Sequence, residues 1–304
     1  MDRQKVLAIV GPTGIGKTSL SVWLAKQLNG EIISCDSMQV YKKMDIGTAK
    51  VTQEEMQGIH HELIDVQNYN EPYNVKVFQE KCRTAIEDVV KRGKFPILCG
   101  GTGLYLKAAL YDYEFQEENE DIAHTTFLNS KTNEELVAML KEKDEKALEK
   151  IHPNNRKRLI RALQICHSGT SKSEQEDKQQ HIPLYDVYFL GLDVDRDILH
   201  DRINKRVDIM FENGLVKEVE DLFTNPETWE YTSFQGIGYK EFKDYFLKEK
   251  SIDEVKTAIK THSRQYAKRQ YTWFKNQMPV QLFEAQNRDE IYSEVKEWLM
   301  DEDK

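Results

Sequence analysis

Long apolar runs are missing from this 304-residue chain. No window approaches eighteen uncharged apolar residues. The opening MDRQKVLAIVG has only a short apolar stretch, ending in a glycine-rich turn instead of a small-residue cleavage site. Neither a membrane span nor a secretion signal is expected, and the chain reads as a soluble cytoplasmic protein. Cysteine is scarce too. Cys35, Cys82, Cys99 and Cys166 form no C-x-x-C pair, and no histidine cluster stands at ligand spacing. A disulfide framework is excluded and a structural zinc is not expected. Acidic residues are absent from two stretches, 150–173 and 255–283, although the whole chain carries a formal charge of −9 and a pI near 5.5. Global charge argues against a nucleic-acid partner; the two basic islands leave room for local binding of an anionic polymer.

With 39% hydrophobic residues the chain can bury a full core, as one large domain or two modest ones. The run at 6–10 reads as a buried parallel strand and 18–28 as the helix after it. EIISCDS (31–37) and FPILCGGTG (95–103) read as further strands, with a helix near 75–91 between them. Strands alternating with helices predict a doubly wound α/β domain of the P-loop NTPase-like kind, a parallel sheet flanked by helices. From 114 to about 181 strand signals vanish. The acidic EFQEENED opens that segment, NEELVAMLKEKDEKALEKI is helical, and SGTSKSEQEDKQQH is a polar loop. LYDVYFLGLDV (184–194) then restores a core strand. The expected organisation is a core of 1–113 and 182–304 interrupted by a small helical insertion, 114–181. The last hundred residues read as helical, clearest at 210–223 and 255–274.

Gly11-Pro12-Thr13-Gly14-Ile15-Gly16-Lys17-Thr18 fits G-x-x-x-x-G-K-[ST] and lies between an expected strand and an expected helix. Glycines let successive N–H groups face phosphate oxygens, and the helix start adds positive partial charge. Lys17 brings a full charge, and the Thr18 hydroxyl is a ligand for Mg²⁺. Phosphate loops of this kind usually have a neighbouring strand that ends in a metal-holding aspartate. Here that strand, FPILC, ends in Gly100-Gly101-Thr102-Gly103. Asp36, at the end of the second strand, lies beside the loop at the sheet's ligand edge, and taken alone it reads equally as a turn or helix-capping aspartate. As a base it would accept a proton from an attacking nucleophile, which suits either transfer of a group carried on a diphosphate or a kinase.

The chain resembles the tRNA dimethylallyltransferases, also called tRNA isopentenyltransferases. The likeness rests on GPTGIGKT, SCDSMQVYKKMDIGTAK (34–50), GIHHELIDV (58–66), LCGGTGLYLKA (98–108), NRKRLIRALQI (155–165), RINKRVDIM (202–210), GIGYKEF (236–242) and RQYAKRQYTWFK (264–275), in family order over nearly the whole length. D-S-x-Q-x-Y with G-G-T-G-L-Y is its most specific part. It implies a P-loop core with a helical insertion. The implied reaction moves a dimethylallyl group from dimethylallyl diphosphate to the exocyclic amine of the adenosine 3′ of the anticodon, in tRNAs that read codons starting with U. Asp36 would take the amine proton. Lys17, Thr18 with Mg²⁺, the loop N–H groups and Arg206 would neutralise the departing pyrophosphate, with Arg206 preferred to Arg202. Thr102 would help hold the diphosphate and order the site.

The resemblance also implies that Asp36, Ser37, Met38 and Gln39 border the target base. Arg158 and Arg161, with Gly236, Gly238 and Tyr239, would touch the anticodon stem-loop. Lys268, Arg269 and Lys275 offer cations beside aromatics, on a helix that otherwise reads as amphipathic with a solvated basic face. His60-His61 lack further metal ligands nearby and read as structural. Trp229, Tyr231 and Phe234 suit base stacking or loop packing equally. The end at Lys304, without a zinc-finger extension, implies the bacterial-type form, and a monomer is expected. A P-loop small-molecule or nucleotide kinase is the alternative enzyme, and an RNA-binding module without chemistry the alternative class.

Overall fold

Strand β1 (Lys5–Val10) is buried at every position after Lys5 because layers cover both faces of its sheet. Val6, Ala8 and Val10 pack into one apolar cluster and Leu7 and Ile9 into another. Hence the run is continuous instead of alternating, and each large side chain sealed there contributes about 1.5–3 kcal/mol. The computed structural model describes residues 3–115, 121–174 and 181–301. It has two compact units, Met1–Tyr111 with Pro183–Lys304, and Asp112–Ile182.

The first unit holds a six-stranded parallel sheet in the order β3-β2-β4-β1-β5-β6. The other strands are β2 (Gly30–Ser34), β3 (His61–Glu62), β4 (Phe95–Gly100), β5 (Asp186–Asp193) and β6 (Gln281–Glu284). Its main helices are α1 (Lys17–Gln27), α2 (Val75–Lys91), α3 (Gly103–Leu110), α4 (Arg196–Glu212), α5 (Leu215–Leu222), α6 (Ile252–Gln277) and α7 (Arg288–Met300). In register, Val10 pairs with Gly100 and Ser34 with Cys99. Three consecutive strands, β2, β4 and β1, therefore end at one level, and the segments that follow them meet at the carboxyl edge.

Several expectations shift. β6 and the short β3 were not anticipated; both are brief edge strands whose residues alternate too little to be read. The helix expected at 210–223 is two helices, broken where Gly214 takes φ +95°. β2 stops at Ser34, three residues early, because Asp36 turns the chain: its Oδ1 accepts the N–H groups of Met38 (2.8 Å) and Gln39 (3.2 Å).

α6 starts with a capping box, Ser251 with Glu254, and buries Val255, Ile259, Ser263, Ala267, Gln270 and Phe274 at helical spacing. The second unit is helical. Ile122–Asn129, Asn133–Asp144 and Arg156–His167 enclose their own core of Leu128, Leu136, Leu140, Leu159 and Leu163. The acidic edge expected at 114–121 and the polar loop at 168–181 fall partly outside the described residues, at 116–120 and 175–180.

Candidate active site

The loop after β1 wraps with Gly11, Gly14 and Gly16 at φ +148°, +81° and +107°, conformations that other residues rarely adopt. Gly16 caps α1 without any side-chain bond to the helix's first N–H groups, which stay available to an anion. Lys17 Nζ donates to the carbonyls of Gly11 (2.9 Å) and Pro12 (2.8 Å). Burial lowers its pKa to about 8, against the opposing pull of Cys99 and Asp36. Ile15 and Leu20 anchor the loop and helix from beneath.

Arg206, on α4, donates from Nη2 to Thr13 Oγ1 at 2.6 Å. Its Nε is buried and has no hydrogen-bond partner among the described residues. Burial lowers this guanidinium's pKa, with Asp36 opposing. A buried cationic donor without an acceptor is what an absent anion would satisfy. Arg202, one turn earlier, is exposed and lines a different cavity on the outer side of Gly14 and Gly16. Of the two arginines only Arg206 reaches the inner face.

Two cavities meet here. One, of about 350 Å³, is lined by Thr13, Gly14, Gly16, Lys17 and Thr18. The other, of about 360 Å³, is lined by Ser37, Met38, Gly236, Ile237, Met210 and Tyr266. Asp36, Thr13, Thr48 and Arg206 line both. Thr102 lines neither: it precedes α3, and its N–H donates to the carbonyl of Cys35 at 3.3 Å. No aspartate can stand at the end of β4, since a Cβ on Gly100 would lie 2.3 Å from the Cys35 carbonyl oxygen. Oxygen donors on the loop-side cavity, among them Thr18 and Asp36, suit a hard cation such as Mg²⁺.

The expected RNA contacts divide. Gly236 borders the second cavity; Gly238 and Tyr239 do not. Tyr239 is fully buried, its hydroxyl donating to Glu218 Oε1 at 2.7 Å, so it cannot offer its ring to RNA. Glu218 in turn accepts the three N–H groups of segment 45–47 at 2.7–3.0 Å. That carboxylate clamp was not read from the sequence, because a glutamate on an amphipathic helix carries no local signal. Gln39 is fixed by Nε2 donation to the carbonyls of Thr48 and Ala49 (3.4 and 3.1 Å).

Half of the α6 basic island is spoken for. Lys256 and Lys260 pair with Asp208 at 2.6 and 2.7 Å, and Arg264 donates to Asn204 Oδ1. Lys268, Arg269 and Lys275 stay exposed. In the second unit Arg158 and Arg161 are exposed, while Arg156 ties its helix to Asn133 and the carbonyl of Asn129. Trp229 and Phe234 belong to the core. His60 does have further ligand-type groups nearby, Glu31 and Glu62. Arg92, however, donates to both carboxylates (2.6 and 2.8 Å), and the group is an ion-pair network.

The family model described as IPP transferase matches residues 39–277. A protein named tRNA dimethylallyltransferase from Bacillus anthracis is 48% identical, over 98% of this chain and 96% of its own. One of the same name from Bacillus cereus (strain ATCC 10987 / NRS 248) is 47% identical, over 98% and 95%. Among solved structures, a tRNA isopentenylpyrophosphate transferase from Bacillus halodurans has a TM-score of 0.73 at 41% identity, covering 98% of this chain and 97% of that one. A eukaryotic dimethylallyltransferase acting on tRNA has a TM-score of 0.81 at 32% identity, covering 96% and 77%. With its phosphate loop, its paired cavities and these relatives, the chain belongs to the IPP transferase family, that of the tRNA dimethylallyltransferases.

Proposed function

We propose that the protein transfers a dimethylallyl group from dimethylallyl diphosphate to the exocyclic amine of the adenosine 3′ of the anticodon, in tRNAs reading U-starting codons. The observation that carries this reading is the meeting of two cavities at Asp36 and Arg206. A diphosphate on the loop and a base in the other cavity would bring amine nitrogen and allylic carbon together beside one carboxylate.

As the N–C bond forms and the allylic C–O bond breaks, Asp36 accepts the amine proton at the oxygen its turn leaves free. Charge that builds on the departing pyrophosphate falls on Lys17, on Arg206 and on the N–H groups of residues 14–18. Mg²⁺ held by the Thr18 hydroxyl would add charge neutralisation there. Thr102, at the start of α3, would help order the site. Ser37, Met38 and Gln39 border the base, and Gly236 gives Met38 room, since a Cβ at 236 would come within 2.3 Å of Met38 Cε. Exposed Arg158, Arg161, Lys268, Arg269 and Lys275 would meet phosphates of the anticodon stem-loop. No described helix is long and apolar enough to cross a membrane, and the proposed place of action is the cytoplasm, as a monomer.

The kinase alternative loses ground at Gly100, where no metal-holding carboxylate fits. The deciding experiment incubates unmodified tRNA with the protein, Mg²⁺ and dimethylallyl diphosphate, then weighs the nucleosides. Gain of one dimethylallyl group on adenosine is expected. No gain, with ATP consumed once small acceptors are added, would restore the kinase.

A further inference from the structure

Gln270 is a polar side chain on the buried face of α6, between Ala267 and Phe274, and is 7% exposed. Burying an amide costs free energy unless both its ends are hydrogen-bonded. Both are. Oε1 accepts the N–H of Thr13 at 2.9 Å, and Nε2 donates to the carbonyl of Gly101 at 2.9 Å. The orientation of the amide is forced, because a backbone N–H can only donate and a carbonyl can only accept. A Cβ at Gly101 would stand 2.1 Å from Gln270 Nε2 and would push the amide aside.

The bond to Thr13 reaches further. With its N–H held by Gln270, Thr13 presents its hydroxyl to Arg206 Nη2 at 2.6 Å. Gly101 O, Gln270, Thr13 and Arg206 thus form one chain from the turn after β4 through the phosphate loop to α4. Tyr266, one turn before Gln270 on α6, lines the second cavity. We propose that Gln270 is a positioning residue that clips the phosphate loop to the turn after β4 and so aims Thr13 and Arg206 at the departing pyrophosphate. This rests on the prenyl-transfer reading for its role in turnover, but not for its role in anion binding.

The test compares wild type with Gln270→Met, which keeps volume and removes both bonds, and Gly101→Ala, which displaces the amide without deleting it. Inorganic pyrophosphate with Mg²⁺ is titrated by calorimetry, tRNA binding is measured separately, and prenyl transfer is followed at varied dimethylallyl diphosphate. Both variants should bind pyrophosphate about tenfold or more weakly, with kcat/KM for the diphosphate falling in parallel and tRNA affinity within about threefold. Pyrophosphate affinity within twofold of wild type in both would overturn the clip. Equal losses of pyrophosphate and tRNA affinity would overturn it as well, since they would mark a merely structural role. Should Gln270→Met fail to fold, Gly101→Ala decides. A wild type that binds pyrophosphate but transfers no prenyl group would refute the proposed function and leave the clip to be judged by pyrophosphate alone.

Discussion

Replacing Asp36 by asparagine removes a proton acceptor while keeping the turn that Asp36 builds. The amide oxygen can still accept from the N–H groups of Met38 and Gln39, and side-chain volume is unchanged. Alanine loses both bonds as well, at about 1 kcal/mol each. The pair therefore separates chemistry from shape. If Asp36 is the base, kcat should fall by roughly 10²–10⁴ in both variants, and Asp36→Ala alone should lose about 2 kcal/mol of stability. Affinity for tRNA should stay within several-fold. One confounding effect has a known sign: Asp36 raises the pKa of Lys17 against the burial that lowers it to about 8. Its loss depresses Lys17 further, so the comparison belongs near pH 6.5, where Lys17 stays charged. Single-turnover transfer of labelled dimethylallyl to tRNA reads the chemical step directly. Turnover of Asp36→Asn within threefold of wild type would remove Asp36 from the mechanism.

Lys17 supports a second expectation, with its sign set by burial. Charged below about pH 8 and neutral above, it should make pyrophosphate affinity decline as pH rises through 8, and binding at pH 8.5–9 should take up protons, seen as a buffer-dependent calorimetric heat. A flat profile from pH 7 to 9.5 would contradict this. The same depressed pKa means that the unfolded chain binds more protons between about 8 and 10.5, so ligand-free stability gains with pH in that window. For Glu218→Gln, one of the two carboxylate oxygens becomes an NH₂ that faces other donors; a loss of about 2 kcal/mol with a raised KM for tRNA is expected, checked by thermal melts and steady-state kinetics. Affinity for tRNA should fall steeply between roughly 50 and 200 mM salt, and Lys268→Ala with Lys275→Ala should flatten the slope by about 2, whereas Lys256→Ala, which already pairs with Asp208, should leave it unchanged.

The sequence was most legible where local chemistry and tertiary demand coincide. β1 is uniformly apolar because both its faces are covered, and the phosphate loop must carry glycine at its positive-φ positions. Helix α2 came through at its full extent, with Phe78, Cys82, Ile86 and Val89 on one face and Asn74 capping it. What stayed hidden depends on distant partners. Glu218 meets residues 45–47, some 170 positions away, and Gln270 meets Thr13 across 257. Nothing in the composition of either helix marks those bonds. Charge counting misled for the same reason: Lys256, Lys260 and Arg264 belong to an acid-free stretch of sequence, but Asp208 and Asn204 of α4 lie beside them in space. Tyr239, expected at the anticodon stem-loop, is a core residue.

The missing carboxylate at the end of β4 and the presence of Asp36 follow from one packing arrangement. Gly100 is pressed against the Cys35 carbonyl, and Thr102 N–H donates to that same carbonyl at 3.3 Å. Closing β4 onto β2 in this way leaves no room for a side chain at Gly100, the last residue of β4. It also brings the chain after Cys35 directly to the cavity edge, where Asp36 follows. A phosphate loop with its carboxylate on β4 would anchor a metal and favour cleavage within the polyphosphate. Asp36, just after β2, instead lines both cavities. On the proposed reading the same loop would hold a diphosphate that leaves whole, and Asp36 would serve the incoming amine as its base. Restoring a β4 carboxylate by Gly100→Asp should consequently not create a kinase. The Cβ would displace Cys35 and Asp36 together, and loss of prenyl transfer without gain of ATP hydrolysis is the expected outcome. ATP hydrolysis in that variant, with transfer intact, would refute the argument that packing at Gly100 decides where the carboxylate stands.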